Sequence, residues 1–457
     1  MIEYPDLSTT LLAGSSLGLL LLTKFSAAGY FPIALILLVW LFQQTAPAQR
    51  WVKFRPVVIA HVGCFFVAWA VIWMFFGFAR NPGNINYHWD FGSGTYLSML
   101  TAILRKYSLL PDPYVHELAG LRLLLRTTFG YVAEHLNVGG RWFFFPVAFL
   151  VKTPLPMLVA LGVACFGTWM TFLSPNSSGA SMSTDWHKRR TRTIALWIGA
   201  VTFLAMAMLS DSNIGHRHIL PIYPPLFVLA GSFLVWLGRN FRLGPAATTI
   251  LLVASVAEAV DLHPREHAYF NQIAGGPSNG FRWLADSSLA AAAELPLLSK
   301  WEDNIRRSEP AAQFYLVQMT AFPAAYGSSS IPLLRHSVKI PLSPGYYIFD
   351  ATALLCGPQP FSGNYSHDYE REFQKQRMLV ASDSHEENLP RYMQLAVSRL
   401  AAICLRRRAD ARVGDGYFVY RVTATDLESF LSADLPAGLP ELHAKSYSRS
   451  ILSPSDK

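Results

Sequence analysis

A chain of 457 residues that is 52% apolar and only 15% charged is too rich in hydrocarbon for an ordinary soluble protein, and the excess falls almost wholly before residue 260. The net charge of +8 does not point to nucleic acid, because the basic residues lie largely in short loops beside apolar runs and no nucleic-acid motif accompanies them. The expected architecture is a polytopic α-helical membrane domain of about seven spans, residues 1–262, followed by a soluble extracytoplasmic α/β domain, residues 263–457.

The N-terminus lacks the basic region and cleavage site of a signal peptide, so export is expected to rely on the spans themselves. Leu11 to Leu22 and Ala27 to Phe42 are apolar runs separated by Thr23-Lys-Phe-Ser26, a spacing that predicts a tight helical hairpin or one broken helix. A polar loop with Arg50, Lys53 and Arg55 precedes the strong span Val57 to Ala79. Residues 80–141 form a loop long enough to be structured or functional. In it, Tyr87-His-Trp-Asp90 mixes aromatic faces with polar groups, and His88 and Asp90 are candidates for substrate contact or proton transfer; the plainer reading is the folded cap of an external loop.

Phe143 to Leu173 is apolar but interrupted at Lys152-Thr-Pro-Leu-Pro156, as expected of an interfacial segment leading into a helix begun by proline. After a serine-rich loop with Lys188, Arg189, Arg190 and Arg192 come the runs Ile194 to Leu209, Ile219 to Leu237 and Ala246 to Val260. The loops near 50, 190 and 240 are rich in Lys and Arg and fall on one side, which predicts that this side is the cytoplasm. The 80–141 loop, the hairpin at 210–218 and everything after Asp261 then share the outer face.

The hairpin is the densest polar stretch between apolar runs, with Asp211, His216, Arg217 and His218 close together. Charges so near hydrocarbon suggest a functional site, although Arg and His at helix ends also serve as interfacial anchors. Beyond it, Gln313 to Met319, Gly345 to Asp350 and Gly416 to Val422 read as strands, and Glu386 to Arg407 as a helix. Cys64 and Cys165 read as small buried hydrophobes, and no spacing rule supports a disulfide between Cys356 and Cys404. No metal pattern, GxGxxG or P-loop spacing is present, so no cofactor is identified.

Three stretches occur in series: Gly140-Arg-Trp-Phe-Phe-Phe-Pro-Val-Ala-Phe-Leu-Val-Lys-Thr-Pro-Leu-Pro156, Asn213-Ile-Gly-His-Arg-His-Ile-Leu-Pro-Ile-Tyr-Pro224 and Ala268-Tyr-Phe-Asn-Gln-Ile-Ala-Gly-Gly-Pro277. In that order they resemble the C-terminal two-thirds of the bacterial polyprenyl-phosphate-dependent glycosyltransferases of the GT-C class, relatives of protein O-mannosyltransferases and of the aminoarabinose transferase. Leu19 to Ser26 and Ala411 to Arg421 look like the same family.

The resemblance implies a multi-pass protein of the cell (inner) membrane that moves a sugar from a polyprenyl-phosphate donor to an extracytoplasmic glycan, lipid or protein acceptor. The donor phosphate then requires cations at the outer surface, for which Arg217, His216, His218, Lys152 and Arg141 are the candidates. Taken alone, Lys152 and Arg141 read equally as residues anchoring helix ends at the interface. Tyr269 and Asn271 follow the last span closely enough to face the same surface, with packing between domain and membrane as their plainer role.

Two features depart from the family. Its catalytic base lies in an acidic motif that the resemblance places upstream of Met1. Where it has Asp-Trp-Gly-Gln, this chain has alanine at each of Ala290 to Ala293, flanked by Asp286 and Glu294. Those two carboxylates are expected to be remnants of an acceptor-side site or simply solvated. The expectation is therefore a truncated or impaired transferase, with a non-catalytic scaffold or part of a split enzyme as the alternative. A lipid or polysaccharide transporter ranks last, since no repeated halves are visible.

Overall fold

The computed structural model describes residues 6–45, 47–81, 83, 96–126, 129–133, 135–138, 140–173, 183–210, 213, 215–263, 265–285, 289, 291–318, 328–333, 342–356, 365–382 and 385–432. His88, Asp90, Asp211 and Asp286 lie outside the described residues. The chain is mostly helical and divides into two compact units: residues 1–127, 166–207 and 221–229, and residues 128–165, 208–220 and 230–457.

The first unit opens with α1 (Leu7–Thr23), whose start is set by Asp6: its carboxylate accepts from the Thr9 N–H at 2.7 Å, and Thr9 Oγ1 lies 3.3 Å from the Asp6 N–H in return. Helix α1 ends at Lys24, which is extended, and a 3-10 turn (Phe25–Gly29) leads into α2 (Tyr30–Gln44). The apolar run is thus broken at the site expected. Helix α3 (Arg50–Phe75) packs against α1 through small residues on both sides. A Cβ on Gly14 would stand 2.8 Å from the Cys64 carbonyl oxygen, and one on Gly18 would stand 2.9 Å from that of Ala68.

Gly14 and Gly18 are the ends of a small-xxx-small motif that lets two helix backbones touch where hydrocarbon solvent provides no hydrophobic drive. Gly18→Leu is therefore expected to separate α1 from α3 and expose Cys64, which is buried in that seam. In a C165S background, maleimide labelling of Cys64 should rise at least severalfold, and an unchanged rate would refute the packing.

Among its described residues the long loop holds regular structure. Helices α4 (Tyr96–Lys106) and α5 (Asp112–Arg126) lie within it, and the indoles of Trp69 and Trp73 in α3 donate to the Leu109 carbonyl at 2.6 and 3.2 Å. Arg80 and Asp112 close its base, with a 3.3 Å ion pair and a 2.8 Å bond from the Asp112 N–H to the Arg80 carbonyl. The rest of the loop, β1 (Phe129–Val132) paired antiparallel with β2 (His135–Val138), belongs to the second unit. There Val132 bridges Leu284, and the Ala133 N–H donates to the Trp283 carbonyl.

Three more apolar segments follow in sequence. Helix α6 (Phe144–Lys152) meets α7 (Leu155–Leu173) at a bend of 114° between their apolar stretches, and α8 (Ser183–Met208) precedes the polar hairpin. Helices α9 (Tyr223–Asn240) and α10 (Gly244–Leu262) are joined by a turn so tight that a Cβ on Gly244 would meet the Leu237 carbonyl oxygen. Among the described residues, five helical stretches are long and apolar enough to cross a membrane, or six if the bent pair counts as one span. Leu7–Thr23 is apolar but shorter. Helix α10 leaves Ile250, Val253, Val256 and Val260 exposed, which is what a hydrocarbon surround demands. Cys165 is exposed on α7 rather than buried as the sequence suggested, because an apolar run in lipid has no obligatory inward face.

The second unit is built on a five-stranded mixed sheet in the order β4-β3-β5-β7-β6. Its strands are β3 (Phe314–Val317), β4 (Ile331–Pro332), β5 (Gly345–Asp350), β6 (Ala411–Val413) and β7 (Tyr417–Val422). β3 runs parallel to β4 and β5, and β7 antiparallel to β5 and β6. Alternation along the strands gives two apolar faces. Phe314, Leu316, Ile348 and Tyr417 pack with Leu295 and Leu298 of α11 (Leu295–Ser308). Tyr315, Val317, Tyr347, Phe349 and Tyr420 pack with α12 (Ala351–Cys356), α14 (His385–Cys404) and α15 (Ala424–Leu431). The register sets Phe314 beside Tyr346 and Tyr315 beside Tyr347, so a stacked aromatic pair stands on each face.

Outside this, α13 (His367–Ala381) packs on α14 around a fully buried Arg399. Cys404, at the end of α14, is a free thiol, so it forms no disulfide with Cys356. Burial pushes this thiol up to about 12. Little thiolate exists at pH 8, and Cys404 should resist iodoacetamide until the domain unfolds. Prompt alkylation of that peptide in the folded protein, read by mass spectrometry, would contradict the burial.

Candidate functional site

The break between α6 and α7 organises the site. Pro154 and Pro156 carry no N–H, so the last carbonyls of α6 cannot be satisfied by continuing the helix. Asn271 supplies what is missing: its Nδ2 donates to the Leu150 and Thr153 carbonyls at 2.5 and 2.8 Å, and its backbone N–H donates to the Val151 carbonyl at 3.0 Å. Its Oδ1 in turn accepts from the Ala274 N–H at 3.2 Å, which starts the 3-10 turn Gln272–Ala274, and the chain then reverses through Gly275 at φ +81°. The side chain is fully buried and its hydrogen-bonding capacity is spent on backbone.

This clamp positions Lys152, the last residue of α6. Its ammonium donates to the His267 carbonyl at 3.2 Å and stands 3.9 Å from the centre of the Phe270 ring. It is also near enough to His216 to act on the imidazole electrostatically. His216 opens the 3-10 turn His216–Ile222 after Gly215, whose φ of +144° favours glycine. Lys152 and His216, separated by 64 positions in sequence, therefore lie within electrostatic range of one another.

Arg217 is exposed, and His218 is half-buried, with its N–H donating to the Gly215 carbonyl. Arg141 is exposed and lies before the opposite end of α6, a helix about 13 Å long by helical rise. Its carbonyl accepts from Asn213 Nδ2 at 3.3 Å, which ties the hairpin to the Gly140–Trp142 segment. Tyr269 donates to Glu258 of α10 at 3.1 Å, and Gln272 donates to the other oxygen of that carboxylate at 2.9 Å. Tyr269 holds this segment to the last span and Asn271 holds it to the break in α6.

Glu294 is a correction to the expectation of a solvated carboxylate. It is buried, and accepts from the Asp415 and Gly416 N–H groups at 2.9 and 2.8 Å. The β6–β7 turn closes on it so tightly that a Cβ on Gly414, at φ +60°, would collide with the carboxylate. Burial pushes the Glu294 carboxyl above the usual range, although those two backbone bonds oppose the shift. Asp415 in turn accepts from Arg265 at 2.7 Å and from Ser278 at 2.9 Å, and Arg412 donates to the Ser278 and Asp415 carbonyls. The Ala411–Arg421 stretch is thereby fastened to the segment leaving the last span.

Sequence reasoning missed Phe270, His267 and Glu258 as partners of the site. A lone carboxylate near the end of an apolar run was the available signal for Glu258. Among the described residues no group of His, Cys, Asp and Glu is arranged to hold a metal ion. Compared with models of known protein families, with curated proteins and with solved structures, the chain matches none.

Proposed function

We propose that this chain is a membrane glycosyltransferase that moves a sugar from a polyprenyl-phosphate donor to an extracytoplasmic acceptor, by direct inverting displacement. The observation that carries the reading is Lys152, an ammonium held by a carbonyl and an aromatic face at a break in an apolar helix, with His216 within electrostatic range. An anionic leaving group at the membrane surface needs such a preorganised donor, and exposed Arg217 offers a second cation that can fork two phosphate oxygens. The basic loops support a cytoplasmic side at residues near 50, 190 and 240, with about seven crossings and an outer C-terminal domain.

Lys152→Met is expected to cut transfer from a radiolabelled polyprenyl-phosphate sugar by about 100- to 1,000-fold, the scale for losing one charge-stabilising donor, and Arg217→Ala by less. Unchanged transfer in the double variant would remove the cation site from the mechanism. A non-catalytic scaffold is the second reading. It is favoured by the use of Glu294 and Asn271 as backbone anchors, and wild-type protein that transfers no sugar from such a donor would select it.

A further inference from the structure

The start of α3 projects past the start of α1. A Cβ on Gly14 would run into Val67, one on Gly18 into Val71, and one on Gly63 would stand 3.0 Å from Thr10 Cγ2, so the two helices run parallel with Asp6 level with Ile59. The first turns of α3, from Arg50 to Val58, therefore lie beyond the first residue of α1. The two helix starts line an open groove of about 810 Å³. It belongs wholly to the first unit.

The groove grades from polar to apolar. Trp51, Val52 and Arg55 line it toward the start of α3, and Ile59, Ala60 and Gly63 line it toward the apolar stretch beyond. Because Pro47–Phe75 is long and apolar enough to cross a membrane, this gradient follows the path from headgroups to hydrocarbon, and Trp51, 76% exposed, stands where interfacial aromatics do. Two opposite charges face it. Asp6 Oδ1 accepts from the Thr9 N–H and the Ser8 hydroxyl at 2.7 and 3.0 Å, which leaves Oδ2 open to a further donor. Arg55 is exposed and lies one helical turn before Ile59, so the carboxylate and the guanidinium are offset by about 6 Å along the helix axes. Pro56, in the same wall, has no N–H to give the Val52 carbonyl, which adds an acceptor.

We propose that this groove seats one phospholipid whose headgroup joins a phosphate to a primary ammonium, a phosphatidylethanolamine, with its phosphate on Arg55, its ammonium on Asp6 and an acyl chain along Ile59. A guanidinium can fork two phosphate oxygens, and the ammonium brings the N–H donors that the carboxylate and the Val52 carbonyl accept. The two-carbon link between phosphate and ammonium matches the offset of the two side chains. A headgroup of net negative charge would be repelled by Asp6, and a quaternary ammonium has no N–H to donate. The site requires no transfer reaction.

Native mass spectrometry of the full chain released from detergent micelles tests it, in titrations with phosphatidylethanolamine, phosphatidylcholine and phosphatidylglycerol of identical acyl chains. The first should bind about tenfold more tightly than either of the others, the scale of one charge-assisted hydrogen bond. Asp6→Asn keeps a side chain that caps the helix and removes the charge, so it should bring phosphatidylethanolamine down to the level of phosphatidylcholine without weakening the latter. Arg55→Gln, at an exposed position, should weaken both of these lipids by a similar factor. Any other order of affinity in the wild type, or retention of none of the three lipids, would overturn the proposal. So would a preference that outlives Asp6→Asn, or affinities that Arg55→Gln leaves unchanged.

Discussion

Replacing Asn271 by alanine is expected to destabilise the chain by about 3–5 kcal/mol, since it orphans buried polar groups that each cost about 1–3 kcal/mol when left unpaired. Those groups are the Leu150 and Thr153 carbonyls and the Ala274 N–H. Asn271→Asp separates geometry from chemistry. It fills the same volume, but points a carboxylate oxygen at two carbonyl oxygens, so it should be at least as damaging as alanine. Thermal unfolding in detergent, followed by near-ultraviolet dichroism, measures both. If aspartate preserved wild-type stability, the amide would not be what closes the break in α6.

Arg399→Ala should cost a similar amount, about 3–5 kcal/mol, because it leaves a buried carboxylate without its countercharge. The guanidinium meets Glu370 through two bonds of 3.0 Å and donates to the Phe430 and Ser432 carbonyls at 2.6 and 3.0 Å. It also lies 4.6 Å from the centre of the Phe373 ring. Tyr365 and Gln374 add hydrogen bonds to the same carboxylate, so Glu370 loses only its charged partner. Replacing both members, Arg399→Leu with Glu370→Leu, should be far milder than the single change, because no charge is then left uncompensated. Denaturant unfolding of the wild type, Arg399→Leu, Glu370→Leu and the double variant gives the coupling, and an Arg399→Leu or Arg399→Ala protein within about 0.5 kcal/mol of wild type would refute the account.

Long apolar runs and strand alternation announced themselves in the sequence because their periods reflect burial directly. The expected strands at Gln313 to Met319, Gly345 to Asp350 and Gly416 to Val422 became Phe314–Val317, Gly345–Asp350 and Tyr417–Val422. The helix expected at Glu386 to Arg407 became His385–Cys404. The short strands β4 and β6 carry too few residues for a period to show. Helices α4 and α5 are amphipathic, with Tyr96, Met99, Leu100 and Ile103 at helical spacing in α4, so this part of the loop was legible as helix although the expectation named only a structured loop. The role of Gly14 and Gly18 in α1 shows only in the approach of α3.

The site divides in the same way. Lys152, His216 and Asn271 were each legible as polar residues at the margins of apolar runs, since charge and amide groups are costly there whatever the fold. Their roles were not. Asn271 is the amide that completes a broken helix, and Glu294 is buried under a backbone turn about 120 positions away. By itself the sequence determined the apolar helices and the composition of the sheet, because both follow from local period and hydropathy. Only the tertiary structure decided that Lys152 meets Phe270 within electrostatic range of His216, and that Gln318 stands beside Tyr417. Such pairings depend on distant segments meeting at a helix break or a strand end, and no local pattern encodes that meeting.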